Sequence, residues 1–298
     1  MARTLSIAAC QFALRPVASF EDFAVHVRTL LDDARGADLV LFPELFTIEL
    51  FTSLPGWREA PLADLPRIDR YTADYRALFA AEARERRQVI LAGSHLVLDG
   101  GRPLNVAHLF EPSGRVHAHA KTHIFPAESA WGGGEGDALE PVDLGFARVG
   151  IAICYEAEIP ECASSYAEQG VEVVLCPSFT LTEHGFWRVR HCAQARAIEN
   201  QIYVVHCCAV GSPGAPLPGA WGRSSILGPC DVPWPARGVL AEAEANRETV
   251  IRAELDLGLL HANRETGAAP TFRDRRRRAR LYREWPSHLA RKEKEREP

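Results

Sequence analysis

The chain has 298 residues and a mass of 32.9 kDa, with 47% hydrophobic and 24% charged residues. These proportions are ordinary for a soluble globular protein, and they exclude a collagen, a low-complexity chain and a mostly disordered chain. The net charge of −5 at pH 7 argues against a nucleic-acid-binding protein. The apolar material suffices for one large domain or two small ones.

The charge is distributed unevenly along the chain. Residues 271–298 contain 11 Lys or Arg and 5 Asp or Glu, a net charge of +6, which leaves −11 for the preceding residues. We therefore predict a main domain over residues 1–270 and a basic, helical, exposed tail over residues 271–298. The run 274–278 could bind nucleic acid or an acidic membrane surface. We prefer a solvated helix, or a tail that lies across the acidic body of a partner subunit.

No apolar run approaches the roughly 20 residues needed to span a bilayer, so the sequence predicts no membrane segment. Residues 5–9 before Cys10 resemble a lipoprotein cleavage box, but they are shorter than the apolar core of a signal peptide, about 7–15 residues. Most of the eight cysteines lie in apolar runs, which is typical of buried thiols in a reducing compartment rather than of a disulfide framework. We therefore expect a cytoplasmic protein.

Strands and helices are predicted to alternate along the first half of the chain. A helix starts after Ser19, where Ser19 and Asp22 resemble a capping box, and Gly36 suits its C-terminus. Residues 44–65 contain several Pro and Gly and are predicted to form a long loop. The other predicted elements are strands at 3–12, 38–43 and 89–94, a helix at 67–87, and a hairpin of strands 105–110 and 115–121.

The second half repeats this order of elements without a visible sequence repeat. A Gly-rich loop at 131–136 lacks the features of a phosphate-binding loop, so we interpret it as a mobile lid or a plain surface loop. The alternation predicts an α/β fold in which helices cover a sheet, and it leaves open whether there is one sheet or two. Strands are predicted at 146–153, 171–176, 202–209, 222–228 and 248–256, and helices at 160–169 and 184–201.

At three points a polar or nucleophilic side chain stands at the end of a predicted strand. Glu44 follows the strand 38–43, Lys121 ends a hairpin strand, and Cys154 ends the strand 146–153 before a turn and a helix. Each alone has an ordinary explanation, as a loop carboxylate, a surface lysine and a small buried hydrophobe. Strand ends of α/β folds are also where ligands bind, so we consider the three together as a candidate site.

The segments around these residues resemble the nitrilase superfamily of carbon–nitrogen hydrolases and follow the order found in that family. The resemblance covers residues 3 to about 260. It implies an α-β-β-α sandwich of two packed sheets with outer helices, and a homodimer or higher homo-oligomer formed through helices on one outer face. The matching segments are Phe42-Pro43-Glu44, residues 121–126 with Glu128, residues 150–156 with Pro160-Glu161, and residues 194–205.

The resemblance implies catalytic roles for Glu44, Lys121 and Cys154, and the chemistry of amides needs these residue types. A free thiol has a pKa near about 8.5, so a cysteine nucleophile needs a base to take its proton. Glu44 would accept that proton, pass it to the departing amine and then activate water. Lys121 and the backbone N–H of Tyr155 would stabilise the oxyanion. Glu128 resembles a second glutamate of the family, which positions Lys121 and the substrate.

Two other groups of residues invite a functional interpretation. Five other cysteines lie in predicted helices (Cys162 and Cys192), in the strand pair Cys207-Cys208, or before a proline (Cys176), so we interpret them as structural. Three histidines that alternate around Lys121 could bind zinc on one strand face, but the lysine is cationic and no carboxylate completes the set. These histidines are His117, His119 and His123. The sequence therefore predicts neither a metal site nor a cofactor.

The residues near the nucleophile indicate an amidase-like branch. Tyr155 stands where nitrile-hydrolysing members carry Trp, and Glu158 stands where many dicarboxylate-amide hydrolases carry Arg. We predict that Tyr155, Glu158 and Trp187 contact the substrate. Glu128, Glu158 and Glu183 would then form an acidic pocket mouth that favours a neutral or cationic amide. The alternatives are a core position for Trp187 and a helix-start role for Glu158.

The sequence thus predicts a hydrolase of non-peptide carbon–nitrogen bonds, acting on a small amide or carbamoyl amine through a Cys154 thioester and releasing ammonia or an amine. Capture of the same thioester by an amine would make the protein a soluble N-acyltransferase, and nitrile hydrolysis is a further alternative. A non-catalytic scaffold is disfavoured because all three catalytic residue types are present. The expected partners are a small-molecule substrate and further copies of the chain, with neither a membrane nor nucleic acid.

Overall fold

The computed structural model describes residues 3–283. Strands and α-helices alternate through this part of the chain, and 3₁₀ turns occur at residues 46–53, 62–71, 126–131 and 154–158. The strands are β1 (Thr4–Leu14), β2 (Leu39–Leu41), β3 (Val89–Asp99), β4 (Arg102–Phe110), β5 (Val116–Ala120), β6 (Val142–Asp143), β7 (Arg148–Ile151), β8 (Val173–Ser178), β9 (Tyr203–Gly211), β10 (Ser225–Leu227), β11 (Val239–Glu242) and β12 (Thr249–Asp256). The helices are α1 (Phe20–Asp33), α2 (Thr72–Arg86), α3 (Pro160–Glu168), α4 (Glu183–Asn200), α5 (Leu257–Thr266), α6 (Thr271–Arg277) and α7 (Arg280–Arg283). Among these described helices, none has the length and hydropathy that a membrane span requires.

Two six-stranded sheets are joined at one corner. The first has the order β5-β4-β3-β2-β1-β12 and the second the order β11-β10-β9-β8-β7-β6. The corner is a short parallel pairing of β1 with β9, in which Phe12 lies opposite Ala209. Because β1–β3 and β7–β9 are parallel ladders, their carboxyl ends meet at one end of each sheet.

Alternate residues of β1 enter two different cores. Ile7 and Ala9 are fully buried with residues of the second sheet, whereas Cys10 and Phe12 are fully buried against α1 and α2. This period of two is what a strand covered on both faces requires. On the outside of the second sheet, α3 lies so close to β7 that a Cβ at Gly150 would lie 2.7 Å from the ring of Tyr166. The expected α-β-β-α sandwich is therefore confirmed.

The predicted start of α1 is confirmed, and its predicted end is not. The Oγ of Ser19 accepts a hydrogen bond from the backbone N–H of Asp22 at 3.2 Å. The carboxylate of Asp22 accepts from the N–H of Ala18 rather than from Ser19, so the reciprocal bond of the box is displaced by one residue. The helix ends at Asp33, and Gly36 lies in the following turn with φ of +89°.

The predicted helix at 67–87 begins later than expected. Residues 62–71 form a 3₁₀ turn, and α2 starts only at Thr72. Pro66 lies inside that turn and has no N–H to donate to an α-helical hydrogen bond. The predicted loop 44–65 likewise contains a 3₁₀ turn at residues 46–53. Apolar side chains of both turns line the candidate site.

The first part of the basic tail packs against the body of its own chain. Phe272 in α6 is 6% exposed, which contradicts the expectation of a wholly exposed tail. Arg275 donates to the Oδ1 of Asn200 at 2.5 Å, and Arg276 forms an ion pair with Glu168 at 3.1 Å. Burial of the Phe272 ring is the larger contribution to this packing, since an exposed ion pair contributes only about 0–1 kcal/mol. Residues 284–298 of the predicted tail lie outside the described residues.

Candidate active site

The three predicted catalytic residues come from elements that end at the same end of the sandwich. Glu44 lies three residues beyond β2 and Lys121 directly follows β5, both in the first sheet. Cys154 lies three residues beyond β7 of the second sheet. The strand β5 runs parallel to β2 because two antiparallel pairings separate it from β3. The structure therefore brings the three side chains to one cavity, which all of them line.

The ammonium group of Lys121 lies between two carboxylates in the interior. The side chain is 1% exposed, and its Nζ donates to the Oε1 of Glu44 at 2.7 Å and also forms an ion pair with Glu128. Burial of an unpaired ammonium would cost several kcal/mol, so these partners are required for a charged lysine here. Glu128 is itself held in place by the backbone N–H of Phe125, which donates to its Oε1 at 3.0 Å.

Cys154 occupies a strained turn between β7 and the 3₁₀ turn that follows. Its φ is +47°, in the left-handed region that costs a non-glycine residue on the order of 1–3 kcal/mol. The side chain is nearly buried, and its Sγ lies 3.9 Å from the carbonyl oxygen of Phe179. The N–H of Phe179 donates to the Oε2 of Glu44 at 2.8 Å. The residue that directly follows β8 thus contacts both the candidate nucleophile and the candidate base.

The pKa directions are those of a thiol that needs a base. Burial raises the pKa of Cys154 well above its usual value, and the charge of Glu44 raises it further, against a lowering by Lys121. Burial also raises the pKa of Glu44, although Lys121 lowers it, which makes Glu44 a stronger proton acceptor than an ordinary carboxylate. Burial would lower the pKa of Lys121, but the two carboxylates outweigh burial and raise it, so the lysine stays cationic.

A further buried carboxylate joins the lysine segment to the cysteine turn. Glu156 is fully buried and accepts from the backbone N–H of Thr122 at 2.8 Å and from that of Ile153 at 2.6 Å. It also accepts from the Oγ1 of Thr122 at 2.6 Å and lies 3.0 Å from the Nε2 of His119. Glu156 therefore fixes the end of β5 relative to the turn that carries Cys154.

Cys154 lies between two adjoining cavities. The first cavity has a volume of about 330 Å³. It is lined by the charged side chains of Glu44, Lys121 and Glu128 and otherwise mostly by apolar residues. These apolar residues include Leu45 directly before the first 3₁₀ turn, Ile48 within it, Leu62 and Leu65 from the second turn, and Trp131. The second, of about 220 Å³, is more polar, and Thr180, Thr182, His184 and Arg188 line it. A substrate carbonyl at Cys154 therefore has space on both sides.

Of the three predicted substrate contacts, two line the second cavity. Tyr155 and Glu158 do so, and the ring of Tyr155 packs edge-on against Phe125. Trp187 lines neither of the two cavities. Its indole N–H donates to Glu183 at 3.2 Å, because a residue four positions earlier on α4 lies on the same helix face. The expectation that Trp187 contacts the substrate is therefore not supported.

The expected acidic mouth is wrong as well. Glu128 lies deep in the first cavity, paired with Lys121, rather than at a mouth. Glu158 forms an ion pair with Arg188 at 2.6 Å, so its charge is balanced by an arginine from α4. The sequence offered no sign of this pairing, since the two residues are 30 positions apart. The second cavity is consequently lined by one negative side chain, Glu158, and one positive side chain, Arg188.

The histidines considered above for zinc binding and the Gly-rich loop make hydrogen bonds elsewhere in the structure. His117 lies 2.7 Å from Glu111, and His119 contacts Glu156. Within residues 3–283, no group of three or more His, Cys, Asp or Glu side chains is arranged to hold a metal ion. In the Gly-rich loop, the N–H of Gly136 donates to the Lys121 carbonyl at 2.8 Å, and a Cβ there would lie 2.4 Å from the carbonyl oxygen of Ala120. This attachment to β5 argues against a mobile lid.

Asn105 is a site residue that the sequence analysis missed. Its Nδ2 donates to Glu44 at 2.9 Å and to Glu128 at 3.2 Å. The signal was present, because Asn105 is a polar residue at the start of a predicted apolar strand, in a hairpin whose other strand ends at Lys121. The observed hairpin register pairs Phe110 with Val116 and so places Asn105 opposite Lys121, whose backbone N–H donates to its carbonyl at 2.9 Å.

Comparison with known proteins agrees with this geometry. A family model for carbon–nitrogen hydrolases matches residues 6–265. The chain is 35% identical over 280 residues to the probable hydrolase YhcX of Bacillus subtilis, which covers 91% of this chain and 53% of that protein. The chain thus spans about half the length of YhcX. It is 29% identical over 281 residues to the omega-amidase NIT2-A of Xenopus laevis, covering 90% of this chain and 93% of that protein.

Solved structures share the fold at lower identity. The carbon–nitrogen hydrolase from Helicobacter pylori G27 has a TM-score of 0.75 at 22% identity, over 92% of this chain and 96% of that chain. A mutant of the amidase from Nesterenkonia sp. AN1, with the acetamide moiety of fluoroacetamide added covalently at the active site cysteine, has a TM-score of 0.73 at 21% identity, over 94% and 96%. With the family model spanning most of its length, this chain belongs to the carbon–nitrogen hydrolase family of the nitrilase superfamily.

Proposed function

We propose that this protein hydrolyses the carbon–nitrogen bond of a small amide or carbamoyl amine through a thioester on Cys154. The observation that carries the proposal is the convergence of Glu44, Lys121 and Cys154 on one cavity, with the lysine buried between two carboxylates. The amidases and omega-amidases among the relatives support the choice of an amide over other substrates with a carbon–nitrogen bond.

The first half of the proposed reaction forms the thioester. The Cys154 thiol is neutral at rest, so its proton passes to Glu44 as the sulfur attacks the substrate carbonyl carbon. The carbonyl oxygen becomes an oxyanion, which the Nζ of Lys121 and the N–H of Tyr155 stabilise. The N–H of Tyr155 is suitable because the first N–H groups of a helical turn lack partners within the turn. Glu44 then protonates the departing nitrogen, and the carbon–nitrogen bond breaks.

The second half returns the enzyme to its starting state. Glu44, again a carboxylate, removes a proton from water as the water oxygen attacks the thioester carbon. The same donors stabilise the second oxyanion, the carbon–sulfur bond breaks, and the proton returns to the thiolate of Cys154. The products are a carboxylic acid, or a carbamic acid from a carbamoyl amine, together with the ammonia or amine released in the first half.

A panel of amides and carbamoyl amines, with ammonia and amine release as the readout, tests this proposal. We expect turnover by the wild type and none by Cys154→Ala. Cys162→Ala is the matched control, because Cys162 is buried nearby in α3 but lines neither cavity. Equal activity in Cys154→Ala and the wild type would refute the proposed nucleophile. Release from nitriles alone would replace amide hydrolysis with nitrile hydrolysis.

A further inference from the structure

One neutral residue contacts both carboxylates beside Cys154 and the backbone of the lysine between them. Asn105 is 2% exposed, and its Nδ2 donates to Glu44 Oε1 at 2.9 Å and to Glu128 Oε2 at 3.2 Å. Its backbone carbonyl accepts from the N–H of Lys121 at 2.9 Å. The contact thus includes both carboxylates and the backbone of the lysine that separates them.

The orientation of this amide is set by the carboxylates alone. Among the described residues, the Oδ1 of Asn105 has no hydrogen-bond partner although it is buried. Turning the amide over would place this oxygen against two carboxylates, whereas the observed orientation gives each carboxylate an N–H donor. A buried acceptor without a partner destabilises a fold, so this position is poorly explained by stability.

The carboxylate pair needs a neutral donor. Glu44 and Glu128 carry two negative charges against the single positive charge of Lys121, and the charge of Glu128 raises the pKa of Glu44. A second cation would cancel the negative charge on which a base depends. An amide N–H stabilises the carboxylate form without adding charge, and its two hydrogens allow it to bind both carboxylates at once.

We infer that Asn105 is a positioning residue that holds Glu44 and Glu128 as an oriented pair of carboxylates around Lys121, so that Glu44 stays available as the proton acceptor for Cys154. The inference rests on the proposed function, because it takes Glu44 to be the proton acceptor for Cys154. Asn105 itself is assigned no contact with substrate. It acts through the two glutamates, both of which line the first cavity together with the thiol.

A graded series of variants at Asn105 tests the inference by pH profile. Asn105→Leu has a similar volume and no donor, so the carboxylate form of Glu44 loses a hydrogen bond and its pKa rises. We expect the acid limb of kcat/KM to move up by about one pH unit, with activity at pH 6 falling about tenfold and KM changing less than threefold. Asn105→Asp adds a third carboxyl and should move the limb further, whereas Asn105→Ser keeps one donor and should restore part of the activity.

The rate at which iodoacetamide alkylates Cys154 is measured across the same pH range, and it needs no substrate. This arm separates the two ideas: absent turnover of every amide would count against the proposed function, while a displaced alkylation profile would still support Asn105. His108→Leu is the control, because His108 is buried on the opposite face of the same strand. Wild-type turnover and alkylation profiles in a folded Asn105→Leu, or losses no larger than those of His108→Leu, would overturn the inference.

Discussion

Replacing Glu156 with glutamine tests how the lysine segment and the cysteine turn are held together. The carboxylate is fully buried, and it accepts from two backbone N–H groups, those of Thr122 and Ile153, and from the hydroxyl of Thr122. Glutamine has nearly the same shape, but only one of its two terminal atoms can accept. One backbone N–H, on either Thr122 or Ile153, therefore loses its acceptor in the variant.

The cost follows from these contacts. A hydrogen bond to a charged group contributes about 1.5–3 kcal/mol, and a buried donor left without an acceptor costs about 1–3 kcal/mol. Since the variant keeps the bonds to one oxygen, we expect a loss of about 3 kcal/mol in the free energy of unfolding. At about 2–4 °C per kcal/mol for a domain of this general size, Tm should fall by about 6–12 °C. Because the turn carries Cys154, kcat/KM should fall at least about tenfold.

The effect should also depend on pH in a defined direction. Burial would raise the pKa of Glu156, but the hydrogen bonds from His119 and Thr122 outweigh burial and lower it below the usual value of 4.5. Because the pKa of Glu156 is lowered in the folded protein, its carboxylate adds to the free energy of unfolding at pH values above the usual pKa. This stabilisation is lost as the pH falls through the lowered pKa. The Tm difference between wild type and Glu156→Gln should therefore be full at pH 6–7 and shrink below pH 4.5.

Thermal denaturation at several pH values, followed by circular dichroism, measures both effects. Glu161→Gln is the control, because Glu161 is an exposed glutamate on α3, only five positions away. We expect the control to change Tm by no more than about 2 °C, as surface substitutions usually do. A Tm for Glu156→Gln within that same range at pH 7 would refute the reasoning, since it would mean that the carboxylate holds nothing that an amide cannot.

Three further predictions concern the charge, the cavity and the tail. Lys121→Met removes the ammonium group between Glu44 and Glu128, and kcat/KM on the best amide should fall by at least 100-fold, about 3 kcal/mol of transition-state stabilisation; a loss below tenfold would contradict the oxyanion role. Leu65→Trp narrows the first cavity, so bulky amides should lose more activity than acetamide-sized ones; equal losses would place the substrate elsewhere. Phe272→Ala removes the buried anchor of α6 and should cost about 3 kcal/mol in urea denaturation; no loss would show that the helix packs through its arginines.

Much of the fold could be predicted because strands covered on both faces are wholly apolar. The strand at Leu39–Leu41 is an example. The long helix α4 was also predicted, at residues 184–201. The sequence alone did not show whether there is one sheet or two, since that depends on the pairing of β1 with β9 at residues far apart in the chain. The two-sheet sandwich was predicted only from the resemblance to the nitrilase superfamily. Periodicity also missed β6, β11 and α5; the two strands are only 2 and 4 residues long, and the cap of α5 is Asp256, which ends β12.

The candidate site divides in the same way. Glu44, Lys121 and Cys154 could be predicted because each is a polar or nucleophilic residue at the end of a predicted strand. Contacts between residues far apart in the chain produce no such local pattern in the sequence. The ion pair of Glu158 with Arg188 balances the charge that was expected to make the cavity acidic, and the contact of the Asn105 amide with the carboxylates depends on strand pairing. Charged groups are therefore located well by sequence, whereas their neutralising partners require coordinates.

The central claim is that substrate carbon becomes covalently bound to Cys154. The most direct measurement is intact-mass spectrometry of the wild type, quenched in acid during turnover of a slowly hydrolysed amide, followed by peptide mapping. We predict a mass increase equal to the acyl group, located on the peptide that contains Cys154 and absent from Cys154→Ala. Turnover with no such adduct under any quench time, or an adduct on another cysteine such as Cys176, would contradict the account.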